Sequence, residues 1–566
     1  MKTQIKKISA GSVSFIFLIL TACTDHFEDL NTPHNLLLDD KVSVDMLFTG
    51  QLSGIMFGLP DGRRSSGNWC GMSVTGDDFP FAEGRGSWSG FYSTGRNLKD
   101  IIRLCKKRDE ESGKNEHVNK MAIARILNAW NFARATDQFG PMPYFEACLP
   151  IEEAVFTPKY DTQKEIYADL LNELKEAATQ LTSDQGSYGN ADFVYRGDIV
   201  KWRKFANSIR LRLALRIRYA DPAMAQANMA DLTEANLIID NNDNFFTNTN
   251  NTNTRFQSAM YADLINRKEI VVKPESAKTF LDILNNNDDP RTKVFNDTAK
   301  ANLEQPQFAG HSFGYRGRPL LGSCPVNQKW PYSSETVSRW SYLMYVPIIA
   351  KTLYKASETY FSLAEAALFG IKGSAADAQG YYQKGLEIEM AYTKAFFDAC
   401  EPQLQEVIKL HRPSWTQEQI DLEKDDKKIT QAEIDDFLAN APVVTLTGSE
   451  EQMLEQIINQ KLVAFFPNQD EGWAEFRRTG YPRILIGDDQ DALRGQIPRR
   501  IPWPTNEELY NIDQYNIALD LIGGVGKDNR LTKIWWDANP DPIKPHPETV
   551  IWMDREDDWS WLETLK

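Results

Sequence analysis

The chain has 566 residues, with 63 Lys or Arg and 79 Asp or Glu, so its formal net charge is −16 at pH 7. This acidic balance, without a basic stripe that carries interleaved aromatic residues, excludes a general nucleic-acid-binding surface. No Pro-, Gly- or Ser-rich linker divides the chain, so we expect one large globule or two subdomains that share an interface.

The N-terminus has the features of a secretory signal peptide. Three lysines precede a short apolar run from Val13 to Leu20, and the sequence LTAC then ends at Cys23. The run is far shorter than the roughly 20 residues of a membrane-spanning helix. We predict cleavage before Cys23 and lipid attachment to its thiol. The alternatives are an ordinary cleaved signal with an incidental cysteine, or a single inner-membrane anchor.

The residues behind this signal predict a tether and no further membrane segment. From Thr24 to about Thr49 the chain is polar and acidic, which suits an extended connection. No later apolar run approaches membrane-spanning length. The five cysteines after Cys23 have no zinc-site spacing, so we predict buried free thiols, with an incidental disulfide as the less favoured alternative.

A Gly- and Ser-rich stretch with many aromatic residues comes next, from Leu52 to Gly95. It includes Trp69, Trp88 and Tyr92. Flexible residues set among aromatics predict looped, irregular structure here.

Helical periodicity dominates the middle of the chain. Five segments place apolar residues three and four positions apart and predict helices. They are Val118–Phe139, Lys164–Leu181, Val200–Tyr219, Thr352–Leu368 and Ala375–Phe397. Small residues alternate with aromatic ones, which is typical of stacked helix hairpins such as tetratricopeptide repeats, although the 34-residue consensus is missing. The predicted fold class is therefore mainly α, with helical hairpins and a large loop-rich, irregular half.

Three other segments predict loops. Asn241 to Thr254 is rich in Asn and Thr and reads as a surface loop. Gln307 to Tyr345 carries many aromatic residues without a helical period, which is unusual because loops are normally polar and often functional. Beyond Tyr481 the chain is rich in Pro and Trp, which predicts extended loops wrapped around the helical body.

No catalytic signature is present in the sequence. HExxH and G-x-S-x-G motifs are absent, and the six histidines are isolated. Gly523 to Asp528 resembles a phosphate loop only superficially, because residue 528 is not Ser or Thr, and we predict a turn. We therefore expect a non-enzymatic protein without a cofactor or a metal site.

Several long motifs in order resemble one family. They are FEDLNTPHN after Cys23, ARILNAWNFARATDQFGPMPYFEA, WRKFANSIRLRLALRI, SETYFSLAEAAL, FFPNQDEGWAEFRRTGYPRI and RRIPWPTNEE. Together they resemble the SusD/RagB family of nutrient-binding outer-membrane lipoproteins of Bacteroidetes, in its SusD-like branch. The resemblance covers nearly the whole chain after Cys23.

This resemblance implies an architecture, a location and a partner. The expected fold is a body of four tetratricopeptide-like units with a loop-rich half that carries the ligand surface. The implied division is a signal peptide at 1–22, a lipidated tether at 23–49 and a SusD-like nutrient-binding domain at 50–566. The implied location is the cell surface, on a lipid anchor in the outer membrane. The implied partner is a SusC-type TonB-dependent transporter, to which the protein delivers a bound oligosaccharide.

Composition and placement, rather than the resemblance, select the candidate ligand-binding residues. Sugar rings stack their C–H faces on aromatic rings while their hydroxyls need polar partners. The two aromatic, loop-like segments provide both kinds of residue. The candidates are Trp69, Trp88, Tyr92, Tyr315, Trp330 and Tyr332, with Asp77, Asp78, Arg85 and Asn327 as polar partners.

Other interpretations of the same sequence remain open at this point. Trp88, Phe91 and Tyr92 lead into a helix and could belong to the core. Within GWAEFRRTGYPR, we expect Trp473 to be a buried anchor and the two arginines to bond carbonyls or carboxylates. The alternative functions are a peptide-capturing RagB-like lid, a surface hydrolase, or a structural lid whose aromatic residues face the barrel.

Overall fold

The computed structural model describes most of the chain and is mainly α-helical. The described residues are 42–57, 65–74, 85–150, 153–250, 252–253, 256–267, 273–299, 313–320, 336–484, 497–541 and 544. Their α-helices are α1 (Val44–Phe57), α2 (Ser65–Trp69), α3 (Arg85–Ser112), α4 (Val118–Phe139), α5 (Gln163–Gln180), α6 (Ile199–Arg216), α7 (Pro222–Met229), α8 (Ala259–Arg267), α9 (Lys278–Asn285), α10 (Thr292–Phe295), α11 (Ala356–Leu368), α12 (Ala378–His411), α13 (Gln417–Asp426), α14 (Gln431–Asn440), α15 (Glu450–Phe465), α16 (Gln469–Thr479), α17 (Thr505–Tyr510) and α18 (Ile512–Leu521).

Short strands form two small antiparallel sheets. The strands are β1 (Ser73–Val74), β2 (Phe245–Asn248), β3 (Glu275–Ser276), β4 (Asn296–Asp297), β5 (Arg339–Trp340) and β6 (Ala350–Tyr354). One sheet has the order β1-β3-β5-β4, and the other pairs β2 with β6. In the first, Ser73 lies opposite Ser276 and Glu275 opposite Arg339.

The helical body consists of hairpins, as predicted. Consecutive helices pack together in the pairs α3–α4, α5–α6, α11–α12 and α15–α16, and α11 also contacts α6 and α15. The predicted row of Ala122, Ile126, Ala129 and Ala133 on α4 is buried. Small side chains let neighbouring helices approach closely, which is why this row faces its partners.

Local signals fix several helix ends. Thr162 and Glu165 form a reciprocal capping box at the start of α5, which satisfies two backbone N–H groups. Gly140 ends α4 with a positive φ of 76°, which a residue with a Cβ adopts at a cost. Asp221 and Pro222 do not end α6, which stops at Arg216. Instead, Asp221 caps α7 and Pro222 occupies its first turn.

The predicted irregular stretch from Leu52 to Gly95 is wrong over much of its length. Helix α1 extends to Phe57, and α3 begins at Arg85. Gly95, at the end of this stretch, has a packing role, because a Cβ at this position would lie 2.6 Å from the Phe132 ring. At the front of this stretch, α1 starts at Val44 and Phe48 is fully buried, so residues 44–49, predicted as the end of a tether, belong to the folded body.

Two further predictions are wrong because strands form where a loop and the start of a helix were predicted. The predicted surface loop from Asn241 to Thr254 contains β2, whose Phe245 is buried and stacks on Phe205 at 4.1 Å. Its partner β6 occupies the start of the helix predicted at Thr352, so that helix begins at Ala356. Pairing between β2 and β6 places strands in both segments. The polar composition of residues 241–254 gave no sign of this pairing.

The C-terminal part is less extended than predicted. Helices α17 and α18 lie within the stretch after Tyr481. Trp503 and Trp536 are buried there, and their indole N–H groups donate to the Pro141 carbonyl at 2.8 Å and to Asp137 at 2.8 Å, respectively. These bonds fasten the segment to the end of α4.

Buried ion pairs hold the helical body together. Arg212 and Arg216 of α6 both bind Glu471 of α16, and Arg212 also binds Glu358 of α11 at 2.6 Å. Arg478 binds Glu365 and Glu475. Buried charges are tolerated when each is paired and hydrogen-bonded, so these contacts fix how the three helices align.

The predictions for GWAEFRRTGYPR are confirmed. Trp473 is buried, as are both arginines. The Arg477 guanidinium donates to the carbonyl oxygens of Asp137 at 2.6 Å and Arg499 at 3.0 Å, while Arg478 binds carboxylates. This segment is therefore structural.

The cysteines within the described residues are free. Cys70, Cys105 and Cys400 are buried as predicted, and Cys148 is half-buried. Burial raises the pKa of all four thiols. In the described part of the chain, no helix combines the length and the apolar character needed to cross a membrane.

Candidate functional site

A large cleft lies between the first half of α3, residues 143–150 and 154–158, and helix α17. Its volume is about 990 Å³. Ligand sites in proteins usually measure about 300–1,000 Å³, so the cleft has room for a ligand of several sugar units. We refer to it as the aromatic cleft.

Two residues predicted from sequence, Trp88 and Tyr92, line the aromatic cleft from α3. Trp88 is 7% exposed and packs edge-on against Phe139 and Tyr92. The Tyr92 hydroxyl donates to the Pro143 carbonyl at 2.7 Å, and burial raises its pKa. Both rings are therefore held in place by packing and form the floor of the cleft.

Two strongly exposed aromatic rings stand on the rim. Phe156 is 89% exposed and Tyr510 is 77% exposed, and both line the cleft. Among the described residues, only Phe145 is a further exposed aromatic side chain. Large exposed apolar groups that share one cavity are typical of binding surfaces.

Phe156 and Tyr510 are not among the residues predicted from the sequence. Phe156 lies in a short polar segment, and Tyr510 ends a helix where extended loops were predicted. The available signal was weak, since one aromatic residue in a polar stretch is common. Their shared position depends on contacts of α17 and Asn511 with residues 158–160. Tyr160 donates to Glu507 at 2.9 Å, and Asn511 donates to the Pro158 carbonyl at 3.0 Å.

A polar fringe accompanies the rings. Arg96, Lys99 and Arg103 follow one face of α3 and line the cleft. The Lys99 ammonium donates to the Ala147 carbonyl at 2.8 Å, and burial lowers its pKa. Arg103 donates to Asp100 at 3.1 Å. The cleft thus offers donors next to apolar rings, the combination that a sugar's hydroxyls and C–H faces require.

The other candidate residues from the sequence do not join this cleft in the described structure. Trp69 is 4% exposed and packs on Trp473 at 4.7 Å, so its ring belongs to the core. Tyr315 is half-buried, and its hydroxyl donates to Asp426 at 3.0 Å. Burial raises the pKa of Tyr315.

Several candidates lie outside the described residues. These are Asp77, Asp78, Asn327, Trp330, Tyr332 and the lipidation candidate Cys23. Arg85 begins α3, but its side chain is also outside the description. Their assignments stay predictions.

The four-stranded sheet connects the two aromatic segments of the sequence. Segment 75–84 directly follows β1, and segment 321–335 ends four residues before Arg339 of β5. Strands β1 and β5 both pair with β3, on its two sides, and so belong to one sheet. Within the sheet, Asp297 of β4 binds Lys273 at 2.5 Å and Lys427 at 3.3 Å in buried ion pairs.

The chain matches a family described as "Starch-binding associating with outer membrane", SusD-like_2, over residues 81–504. It belongs to this family. The resemblance and the fold class predicted from sequence are thereby confirmed. Among curated protein sequences, none matches the chain.

Solved structures share the fold. A chitin-binding protein is 27% identical, with a TM-score of 0.67 over 87% of this chain and 100% of its own. A SusD homologue from Bacteroides fragilis is 22% identical, with a TM-score of 0.66 over 88% and 100%. A chitin-binding SusD homologue from Flavobacterium johnsoniae is 22% identical, with a TM-score of 0.61 over 88% and 99%. This SusD-like chain therefore has the mainly helical fold class predicted from its sequence.

Proposed function

We propose that this SusD-like protein is a non-enzymatic, lipid-anchored surface protein. It binds an oligosaccharide and delivers it to a SusC-type TonB-dependent transporter. The family description supports glycan binding and an outer-membrane association. The lipid anchor, the surface location and the transporter rest on the sequence around Cys23 and on the resemblance.

The observation that carries the ligand class is the pair of exposed rings on the aromatic cleft. Phe156 and Tyr510 keep their faces in water, which is unfavourable for large apolar groups unless a ligand covers them. Sugar rings stack on such faces, and the arginines of α3 supply hydrogen-bond donors beside them. We place the oligosaccharide in this cleft.

The solved chitin-binding protein directs the choice of the first ligand. It is similar over 87% of this chain, so chitin oligosaccharides are a reasonable first probe, followed by maltooligosaccharides because the family is described as starch-binding. Both are neutral chains of hexose units, which an aromatic rim accommodates.

Binding of N,N′,N″,N‴-tetraacetylchitotetraose and of maltoheptaose to the purified protein, measured by calorimetry, tests this proposal. In a Phe156→Ala/Tyr510→Ala variant, we expect binding to weaken about tenfold or more, because two stacking faces are lost. Phe145→Ala is the matched control, since Phe145 is exposed but does not line the cleft. Trp330→Ala and Tyr332→Ala belong in the same series.

The outcomes separate the ligand, its location and the chemistry. Loss of binding in the Trp330 or Tyr332 variant alone would move the site to segment 321–335 and leave the function standing. Binding of peptides and of no oligosaccharide would favour the RagB-like alternative. Turnover of a bound oligosaccharide by the purified protein would overturn the non-enzymatic assignment.

A further inference from the structure

We propose that a second cavity is a separate binding site for one neutral saccharide unit. It lies between α9 with the residues that follow it, the segment 442–448 and α15, and its volume is about 600 Å³. It shares no lining residue with the aromatic cleft. This inference goes beyond the proposed function, which needs only the first site.

Carboxamide side chains dominate the lining of this cavity, which we call the amide groove. They are Asn286, Asn287, Gln452, Gln456, Asn459 and Gln460. No aromatic residue is among the described residues that line it, so recognition here would depend on hydrogen bonds rather than on ring stacking. Ile283 and Val443 add apolar surface.

The charged groups of the amide groove are paired with one another or with a neighbour. Arg483 binds Glu455 through two hydrogen bonds of 2.7 and 2.8 Å. Asp282 accepts from Lys278 at 2.6 Å. An ionic ligand would have to compete with these bonds, so the groove favours an uncharged one.

Two adjacent residues of α15 that line the groove each have a buried side-chain atom without a hydrogen-bond partner in the described part of the chain. Gln460 is fully buried, and its side-chain oxygen accepts from Arg291 at 2.5 Å. That bond orients the amide, so its Nε2 is the free donor within the described residues. The Asn459 Oδ1 is likewise buried without a donor in the described part of the chain.

A ligand that both donates and accepts would satisfy this pair. A buried polar atom without a hydrogen-bond partner destabilises a folded protein by about 1–3 kcal/mol. A ligand group that hydrogen-bonds to such an atom removes that cost, which favours binding. Hydroxyl and acetamido groups of sugars each supply a donor and an acceptor, while the sugar's C–H surface fits the apolar side of the groove. A neutral sugar unit therefore matches the amide groove best.

Two substitutions test the groove in the Phe156→Ala/Tyr510→Ala background, where we expect binding in the aromatic cleft to be weakened. Asn459→Leu takes away the free acceptor at similar volume. Gln460→Glu replaces the free donor with an oxygen while keeping an acceptor for Arg291. We expect each to weaken the binding of N,N′-diacetylchitobiose or cellobiose about tenfold, the effect of one lost hydrogen bond. Asn172→Leu on the exposed face of α5 is the matched control.

Crystals soaked with each disaccharide locate the ligand directly. Density for a sugar unit that touches Asn459 and Gln460, together with weaker calorimetric binding in both variants, supports the inference. Equal affinity in the variants, or water alone in the groove, overturns it. The proposed function is judged separately, because it depends on cleft variants in the otherwise natural protein. Unchanged melting temperatures for Asn459→Leu exclude a folding defect.

Discussion

At the scale of single residues, buried charges account for much of this fold's specificity. Burial alone would raise the pKa of Glu365, but Arg478 and Arg218 hold it below its usual value. Arg212, Arg216 and Arg478 likewise bind the buried carboxylates of Glu358, Asp137 and Glu475, respectively. Removing one arginine therefore leaves a buried carboxylate with only part of its compensating charge.

Replacing Arg478 with Met should be strongly destabilising. The change leaves Glu365 without its two-nitrogen partner and removes one of the cations of Glu475, so we expect a loss of about 3–5 kcal/mol in the free energy of unfolding. Urea denaturation measures it. Lys394→Met is the control, because its pair with Asp398 is partly solvated, and should change stability by less than about 1 kcal/mol. Equal effects would show that burial does not decide the cost.

His411 gives the protein a defined acid sensitivity. Burial lowers its pKa from 6.5 to about 3, and its ring bonds the Tyr342 hydroxyl at 2.6 Å. The neutral ring stabilises the fold fully above pH 6.5. As the pH falls toward 3, the unfolded chain binds a proton that the folded chain does not, and stability drops by about 1.4 kcal/mol per pH unit from this group.

A His411→Gln variant should lack that part of the acid dependence. The difference in unfolding free energy between the natural protein and the variant, measured in urea at pH 7, 5.5 and 4.5, should shrink as the pH is lowered. Other titrating groups are common to both proteins and cancel in the difference. A pH-independent difference would show that His411 keeps an ordinary pKa.

At the scale of elements, close helix contact depends on where glycine lies. In α12, a Cβ at Gly385 would lie 2.7 Å from the Phe361 ring of α11, whereas a Cβ at Gly380 would meet nothing within 4 Å. Gly385 therefore allows the two helices to pack closely, whereas Gly380 only lowers the stability of the helix.

Alanine at these two positions should act in opposite directions. We expect Gly385→Ala to destabilise by about 1–3 kcal/mol, because it forces Phe361 away from α12. Gly380→Ala should stabilise by up to about 1 kcal/mol through helix propensity. Thermal unfolding of both variants measures this, and a stabilising Gly385→Ala would contradict the close contact between the two helices.

At the scale of the whole molecule, the predicted lipid-anchor residue precedes the described fold in the chain. The described fold begins with α1, and Phe48 is already buried there, so Cys23 lies ahead of the core. A Cys23→Ala variant should lose membrane association while keeping the fold and ligand binding. Fractionation of cells without the transporter, with calorimetry on the purified variant, measures both. Membrane retention of the variant in those cells would refute the lipoprotein prediction.

The sequence by itself determined the features that depend on neighbours along the chain. The periodic row on α4, the stop at Gly140 and the buried arginines of GWAEFRRTGYPR follow from spacing and residue type. The order of several long motifs was enough to indicate the family. Local periodicity and long motifs can be recognised in a single sequence because they involve residues that are close together in the chain.

Tertiary structure alone decided the features that join distant segments. Gly95 lies in a stretch predicted to be irregular, but it packs against Phe132. Strand β2 lies in an Asn-rich stretch predicted to be a loop, and its partner is the distant strand β6. The aromatic cleft brings Phe156 and Tyr510 together across more than 350 residues of chain. Whether a ring is exposed depends on which distant residues pack over it. The sequence around the ring does not specify those residues, and the tertiary structure does.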